Sequence, residues 1–361
     1  MSRFLAFALL GAILLAGLDL PAQTIPFQVI RTVSHTNSYA SGLAWERNTI
    51  WVGYAFGNQL EQYDPYTDTR IRSITAPNSN VRGLVFDGMD LWLASWIQPP
   101  APSIFAINTV TGTVIKSLVA PFTAGYSDGL THDGTALWIS DELNHIYQVD
   151  PLPWAIIGSI TVPSSGSSNP RDLAWEPYAN NLWAAYQSSG LIRKHNPSNG
   201  QVLGEFTSPY TWSQQGLTWD GWFLWATGGQ QPNLLHMSQI DVNPPFVVMK
   251  GALTPRSLIQ FELSGAMNEA GNIFVVGWSG SGTSGFKVGT AMIPLTLDDF
   301  TILGLRLAPY FSMVVDTSGT ATTTLFPWPA VPAGIPFWTC GVTLGPSGVV
   351  SVNEPVKYVT R

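Results

Sequence analysis

Cysteine is nearly absent: Cys340 is the one thiol in 361 residues. A disulfide within the chain is therefore excluded, and packing must hold the fold without a covalent staple. With Phe337, Trp338 and Val342 around it, Cys340 reads as a buried, inert thiol. Charge is scarce too, at 11% of residues. Sixteen Lys and Arg against 23 Asp and Glu leave a net charge of −7, and the basic residues are scattered singly. No basic stripe exists to follow a phosphate backbone, so nucleic acid is not an expected partner. The five histidines show no HExxH spacing, and no Gly-Xaa-Ser-Xaa-Gly elbow marks a nucleophile. No metal and no cofactor is expected; a set of Asp128, Asp141, Glu142 and His145 around an ion is the alternative set aside.

Long apolar runs are missing after the first two dozen residues, so no stable membrane span is expected in the mature chain. Residues 1–22 read as a signal peptide: Arg3 gives a positive start, Phe4 to Gly17 an apolar run, and Leu20-Pro21-Ala22 a small residue for cleavage. The expected location is secreted, whether extracellular, periplasmic or at the cell surface.

What the chain has in abundance is hydrophobic residues (45%) and tryptophan (15 copies). Several of the tryptophans sit in a repeated phrase. Gly83-Leu84-Val85-Phe86-Asp87-Gly88 is followed by Leu91-Trp92. Gly129-Leu130-Thr131-His132-Asp133-Gly134 is followed by Leu137-Trp138, and Gly216-Leu217-Thr218-Trp219-Asp220-Gly221 by Leu224-Trp225. Looser copies run from Gly42, Asp172 and Gly265 to Trp51, Trp183 and Phe274. A repeat in the forties made of short strands and Asp-Gly turns is the pattern of a β-propeller. The expectation is an all-β, six-bladed β-propeller of four-stranded blades over 24–292. Phe27 to Val33 would be the N-terminal strand closing the last blade, and a small β-sandwich-like module would occupy 293–361. The repeated tryptophans and acids are assigned to blade packing and turns.

Residues that break the repeat are then the functional candidates. Arg82, Asp128, Arg171 and Gln215 precede or open the first strands and would converge at one mouth of the central channel. Tyr54, Trp96, Asp141, Tyr186 and Trp278 leave the second strands, and Trp212 lies in a nearby loop. Aromatics around a few charged and amide groups suit a glycan, peptide or protein ligand. Asp128 is the one weak catalytic candidate. Two flanking arginines are expected to hold its carboxyl down, which favours a base or ligand role over an acid.

The third unit, Gly129 to Gly134 with Leu137-Trp138-Ile139-Ser140-Asp141 and Ile146-Tyr147-Gln148-Val149-Asp150-Pro151, resembles the glutaminyl cyclotransferase-like propellers of bacteria and plants. It is similar more broadly to bacterial propellers like virginiamycin B lyase, whose histidines have no counterpart here. The resemblance spans roughly 27–292. It implies chemistry at the channel mouth, where those cyclotransferases carry an acid in Glu-Gly-Trp-Gly-Leu. The corresponding stretch here is Tyr126-Ser127-Asp128-Gly129-Leu130. Tyrosine stands at the acid's place, and Asp128 lies two residues on, about 7 Å along a strand.

Three functions follow as expectations. The leading one is a secreted, non-catalytic binding or interaction protein. The second is an enzyme of the cyclotransferase, lyase or lactonase kind. The third is a self-assembling subunit of a surface layer or filament.

Overall fold

The computed structural model describes residues 22–360 apart from 38, 98, 124, 167, 211–213, 229–234, 244–245, 251–256, 267–268, 285, 289–290, 297–311, 324–325, 328–331, 347 and 354. The expected signal stretch and Trp212 thus fall, wholly or nearly so, outside the described residues. Among those described, no helix is long and apolar enough to cross a membrane.

The chain is built of strands, and the propeller expected from the repeat is present. Blade one is Ala40–Glu46, Thr49–Tyr54, Gln59–Asp64 and Thr69–Thr75. Blades two, three and four repeat the four-stranded meander from Val81–Phe86 to Val114–Leu118, Leu130–His132 to Ala155–Thr161, and Pro170–Glu176 to Val202–Thr207. Burial falls from the inside of a blade outward. Leu91–Ser95 is buried at every residue, whereas Val114–Leu118 is mostly exposed. A second strand that packs on both faces must read as a continuous apolar run, as it does here.

The repeated phrase has a chemical reason. In each blade the acid at the end of the first strand accepts the indole N–H of the tryptophan on the second: Glu46 from Trp51 at 2.7 Å, Asp87 from Trp92 at 2.7 Å, Asp133 from Trp138 at 2.8 Å, Glu176 from Trp183 at 2.9 Å, Asp220 from Trp225 at 2.7 Å. The other oxygen of Asp133 takes the backbone N–H groups of Thr135 and Ala136, which fixes the hairpin turn at Gly134. Gly134 has φ 100°, open to glycine and costly for other residues. Burying an indole requires a partner for its N–H, and the turn acid supplies it.

Blade five shows where the count departs from six. Gln214–Trp219, Leu224–Gly228 and His236–Asp241 are completed by the N-terminal strand Gln28–Ser34, antiparallel to His236–Asp241. The inner strand of blade five then packs directly on that of blade one, where Trp45 stacks on Trp225 at 6.0 Å, so among the described residues five blades close the ring. Because Gln28–Ser34 takes the outer place, Phe246–Lys250 is released and pairs with Leu258–Ser264. The expected sixth unit does not form a blade: Leu258–Ser264 and Ile273–Ser279 lie in different sheets. Ile273–Ser279 is flanked by Ser312–Val314 and Pro336–Gly345, and so belongs with the C-terminal strands. The physical reason lies in the phrase itself, because Phe274 replaces the tryptophan and has no N–H to bind an acid. Among the described residues, the strand pairing of the ring thus ends with His236–Asp241, ahead of the boundary expected at 292/293. Cys340 is buried, with Sγ 3.1 Å from Asn353 O.

The axis of the ring is filled. Four inner strands carry glycine at the point of closest approach (Gly42, Gly83, Gly129 and Gly216), and there is no room for more: a Cβ on Gly83 would lie 2.4 Å from Leu130 N. The fourth blade carries Asp172 instead, wholly buried. One of its oxygens accepts the N–H of Leu173 at 2.9 Å and of Leu130 at 3.2 Å, the other that of Leu217 at 2.8 Å. Leu43 N–H also bonds this carboxyl. A single side chain thus ties together inner strands of four blades. Burial pushes the carboxyl well above its usual range, against the downward pull of these N–H groups.

Candidate active site at the channel mouth

Inner strands all enter the ring from one end, so the residues just ahead of them meet there. Arg171 Nη1 lies 3.0 Å from both oxygens of Asp128, and Arg82 Nε is 3.9 Å from Asp128 Oδ1. The Arg82 guanidinium sits 5.4 Å from the Trp96 ring, which stacks on Tyr126 at 4.6 Å. The Trp96 indole N–H donates to Glu142 Oε1 at 2.6 Å, and Arg171 Nη1 approaches the same oxygen at 3.7 Å. One guanidinium therefore stands between two carboxylates of different depth. Asp128 has no exposure, whereas the Glu142 side chain is 26% exposed. The Glu142 carbonyl also accepts from Asn169 Nδ2, which ties its loop to the entry of blade four.

Burial is the largest influence on Asp128 and raises its carboxyl to about 6; Arg171 and Arg82 pull it back only in part. The expectation that two arginines would hold it down is thereby reversed, because the cost of withdrawing this wholly buried carboxylate from water exceeds the attraction of Arg171 and Arg82. A raised carboxyl has a consequence for stability. From about pH 4 to about pH 6 the folded protein retains a proton that the unfolded chain gives up, so the contribution of Asp128 is most favourable below that window and declines as pH rises through it, by about 3 kcal/mol in all. Asp128→Asn should lack this step. Denaturant unfolding of both proteins at the two ends of the window checks it, and a parallel pH dependence would refute it.

The remaining candidates separate cleanly. Arg82, Trp96, Asp128 and Arg171 are brought together. Tyr54, Asp141 and Tyr186 hold equivalent places in their blades, and each turns toward the third strand of its own blade, away from the mouth. Tyr54 donates to Glu61 at 2.6 Å, and Tyr186 meets His195 Nε2 at 3.1 Å. Asp141 accepts the backbone N–H groups of Leu143 and His145 and the hydroxyl of Tyr147. All three are buried. Trp278 lies on Ile273–Ser279, outside the ring. Gln215 is placed on the inner strand of blade five, within the register shift between Gln214 and Gly216. Glu142 was absent from the mouth candidates. The signal for it was modest: an acid in the loop leaving a second strand, next to Asp141. Among the described residues no three His, Cys, Asp or Glu side chains gather as a metal site.

A search of curated proteins returned no match. Among solved structures, the crystal structure of the glutaminyl cyclase of Myxococcus xanthus is similar with a TM-score of 0.51 and 18% identity, over 62% of this chain and 100% of that one. The β-propeller domain of Cps50 (Swd1) from Myceliophteria thermophila matches with a TM-score of 0.37 and 11% identity, over 59% of this chain and 86% of that one. The first of these supports the propeller fold. The reading as a non-catalytic binding protein is overturned by the family comparison, which favours the cyclotransferase alternative. The family model described as glutamine cyclotransferase matches residues 5–225, which include Arg82, Trp96, Tyr126, Asp128, Glu142 and Arg171; the chain belongs to the glutamine cyclotransferase family.

Proposed function

We propose that the protein is an enzyme that cyclises N-terminal glutamine at the mouth of its propeller. In that reaction the α-amine attacks the side-chain amide carbon of the same residue. A C–N bond forms, the bond to the amide nitrogen breaks, and ammonia leaves with a proton that came from the amine. The chemistry asks for one group to carry that proton, a donor to the oxyanion, and a wall to hold the side chain folded back on the amine.

Glu142 fits the first role, being the solvent-reaching carboxylate of the cluster. Trp96 fixes one of its oxygens and leaves the other for substrate. Arg171 and Arg82 fit the second, as half-buried cations beside the mouth. The stacked Trp96 and Tyr126 supply the wall. Asp128 is a positioning residue: it lies beneath and aims Arg171. The observation that carries the reading is the bridge from Asp128 through Arg171 to Glu142 within the family match. Export is part of the proposal, on the strength of the apolar run behind Arg3.

The test is incubation of the purified protein with a short peptide bearing N-terminal glutamine, followed by ammonia release and the matching mass loss. Turnover of that peptide, with none of the same peptide beginning with asparagine, is the expected result. No ammonia from any glutaminyl peptide would refute the proposal.

A further inference from the structure

The opposite end of the ring carries a second site. The turns that close the inner hairpins project there, and the C-terminal strands come up against those of blades one and five. Between them lies a half-open cleft of about 180 Å³, lined among others by Trp45, Arg47, Tyr66, Trp222, Trp338 and Lys357. We propose that this cleft binds an acidic saccharide, one whose rings lie on the aromatic faces and whose carboxylate meets Arg47 and Lys357.

Three observations lead to that ligand class. The first is the walls: tryptophans from two blades and from the C-terminal strands face one polar space. Trp222 extends the platform outward by stacking on Tyr178, at 5.8 Å and 26° between ring planes, with Tyr178 80% exposed. An exposed, stacked aromatic pair beside a cleft offers apolar faces to the C–H side of sugar rings and leaves ring hydroxyls for polar groups such as the Asn48 amide, which also lines the space.

The second is charge. Neither Arg47 nor Lys357 forms an ion pair among the described residues, although the protein as a whole is acidic. Lys357 Nζ rests 4.2 Å from the centre of the Tyr66 ring and 5.5 Å from that of Trp338, which keeps the ammonium at the cleft without neutralising it. The third is the acid on the floor of the cleft. Asp220 is already committed to the N–H groups of Trp222, Phe223, Trp225 and Gln239, at 2.7 to 2.9 Å. It is therefore poorly placed to compete for the two cations. A carboxylate brought by the ligand completes the site.

Titration of the intact protein with an oligomer of galacturonic acid, followed by tryptophan fluorescence, tests the inference, with a neutral cello-oligosaccharide as control. The expected result is saturable binding of the acidic oligomer that weakens as salt is added. Affinity should fall about tenfold or more in Trp222→Ala and in Arg47→Ala, and remain unchanged in Glu142→Gln. Arg47 is exposed, so its variant tests the site with little risk to the fold. Lack of saturable binding, equal affinity in Trp222→Ala, or equal binding of the neutral oligomer would overturn it. Glutamine cyclisation at the other end of the ring enters none of these readouts, so the two proposals stand or fall separately.

Discussion

Glu142→Gln should lower kcat for a glutaminyl peptide by about a hundredfold to ten-thousandfold, the range over which a positioned proton-transfer group acts. Apart from the charge it removes beside Arg171, the substitution is conservative. A glutamine side-chain oxygen can still accept the Trp96 indole N–H, so the wall of the mouth and the stability of the ring should be retained. KM should change little, because recognition of the substrate rests on Arg82, Arg171 and the stacked pair. Steady-state kinetics on matched preparations, with thermal unfolding as control, checks the split. A fall in kcat of less than about threefold would move the proton to another group. Asp128→Asn should behave differently. It loosens the aim of Arg171 and so should affect KM as well as kcat.

Asp172→Ala should be the most damaging single substitution in the ring. It removes the acceptor of N–H groups on the inner strands of four blades, in a place that water reaches only if the strands part. An orphaned buried donor costs about 1–3 kcal/mol, and several are made at once, so a loss of at least about 4 kcal/mol is expected. Asp172→Asn should fall between alanine and the wild type, because one oxygen remains while an amide now faces donors. Urea unfolding monitored by tryptophan fluorescence checks this series; a loss under about 1 kcal/mol for alanine would mean that the axial N–H groups find other partners.

Much of the fold was legible in the residues. The acid, the turn glycine and the tryptophan recur because each blade must satisfy one buried indole, and that local requirement is written within about ten residues. The number of blades is not local in this way. The unit beginning at Gly265 shares the apolar pattern, yet the outer place of blade five is filled by a strand from the other end of the chain. Gln28–Ser34 takes it: that an N-terminal strand fills an outer place was legible in Phe27 to Val33, whereas which blade it joins, more than two hundred positions away, was not. Asp172 was visible as the one acid in a column of glycines, but its meaning appears only when the strands are brought round a common axis. The mouth was legible where residues sit at strand entries, as with Arg82, Asp128 and Arg171. It was misread where a strand's alternation decides direction. Tyr54, Asp141 and Tyr186 stand at the right height but turn to their own third strands, and Trp96, one place further on than these in its blade, reaches the mouth. Glu142 belongs to a loop whose path is set by Asn169 and Trp96, two contacts from other blades.

The strand exchange in blade five also dictates an order of assembly. Arg31 and Gln239, paired across the finished sheet, are 208 residues apart in the chain. During synthesis, Gln28–Ser34 emerges first and has no partner until His236–Asp241 has followed it. Blades one to four can form from neighbouring segments in the meantime, but the circle cannot lock until its two ends meet. Closing so long a loop is costly in chain entropy, and contacts of that range are made late. The waiting N-terminal strand is an unpaired edge, open to the wrong partner at high concentration. A nascent chain released before Asp241 would hold four blades and a gap.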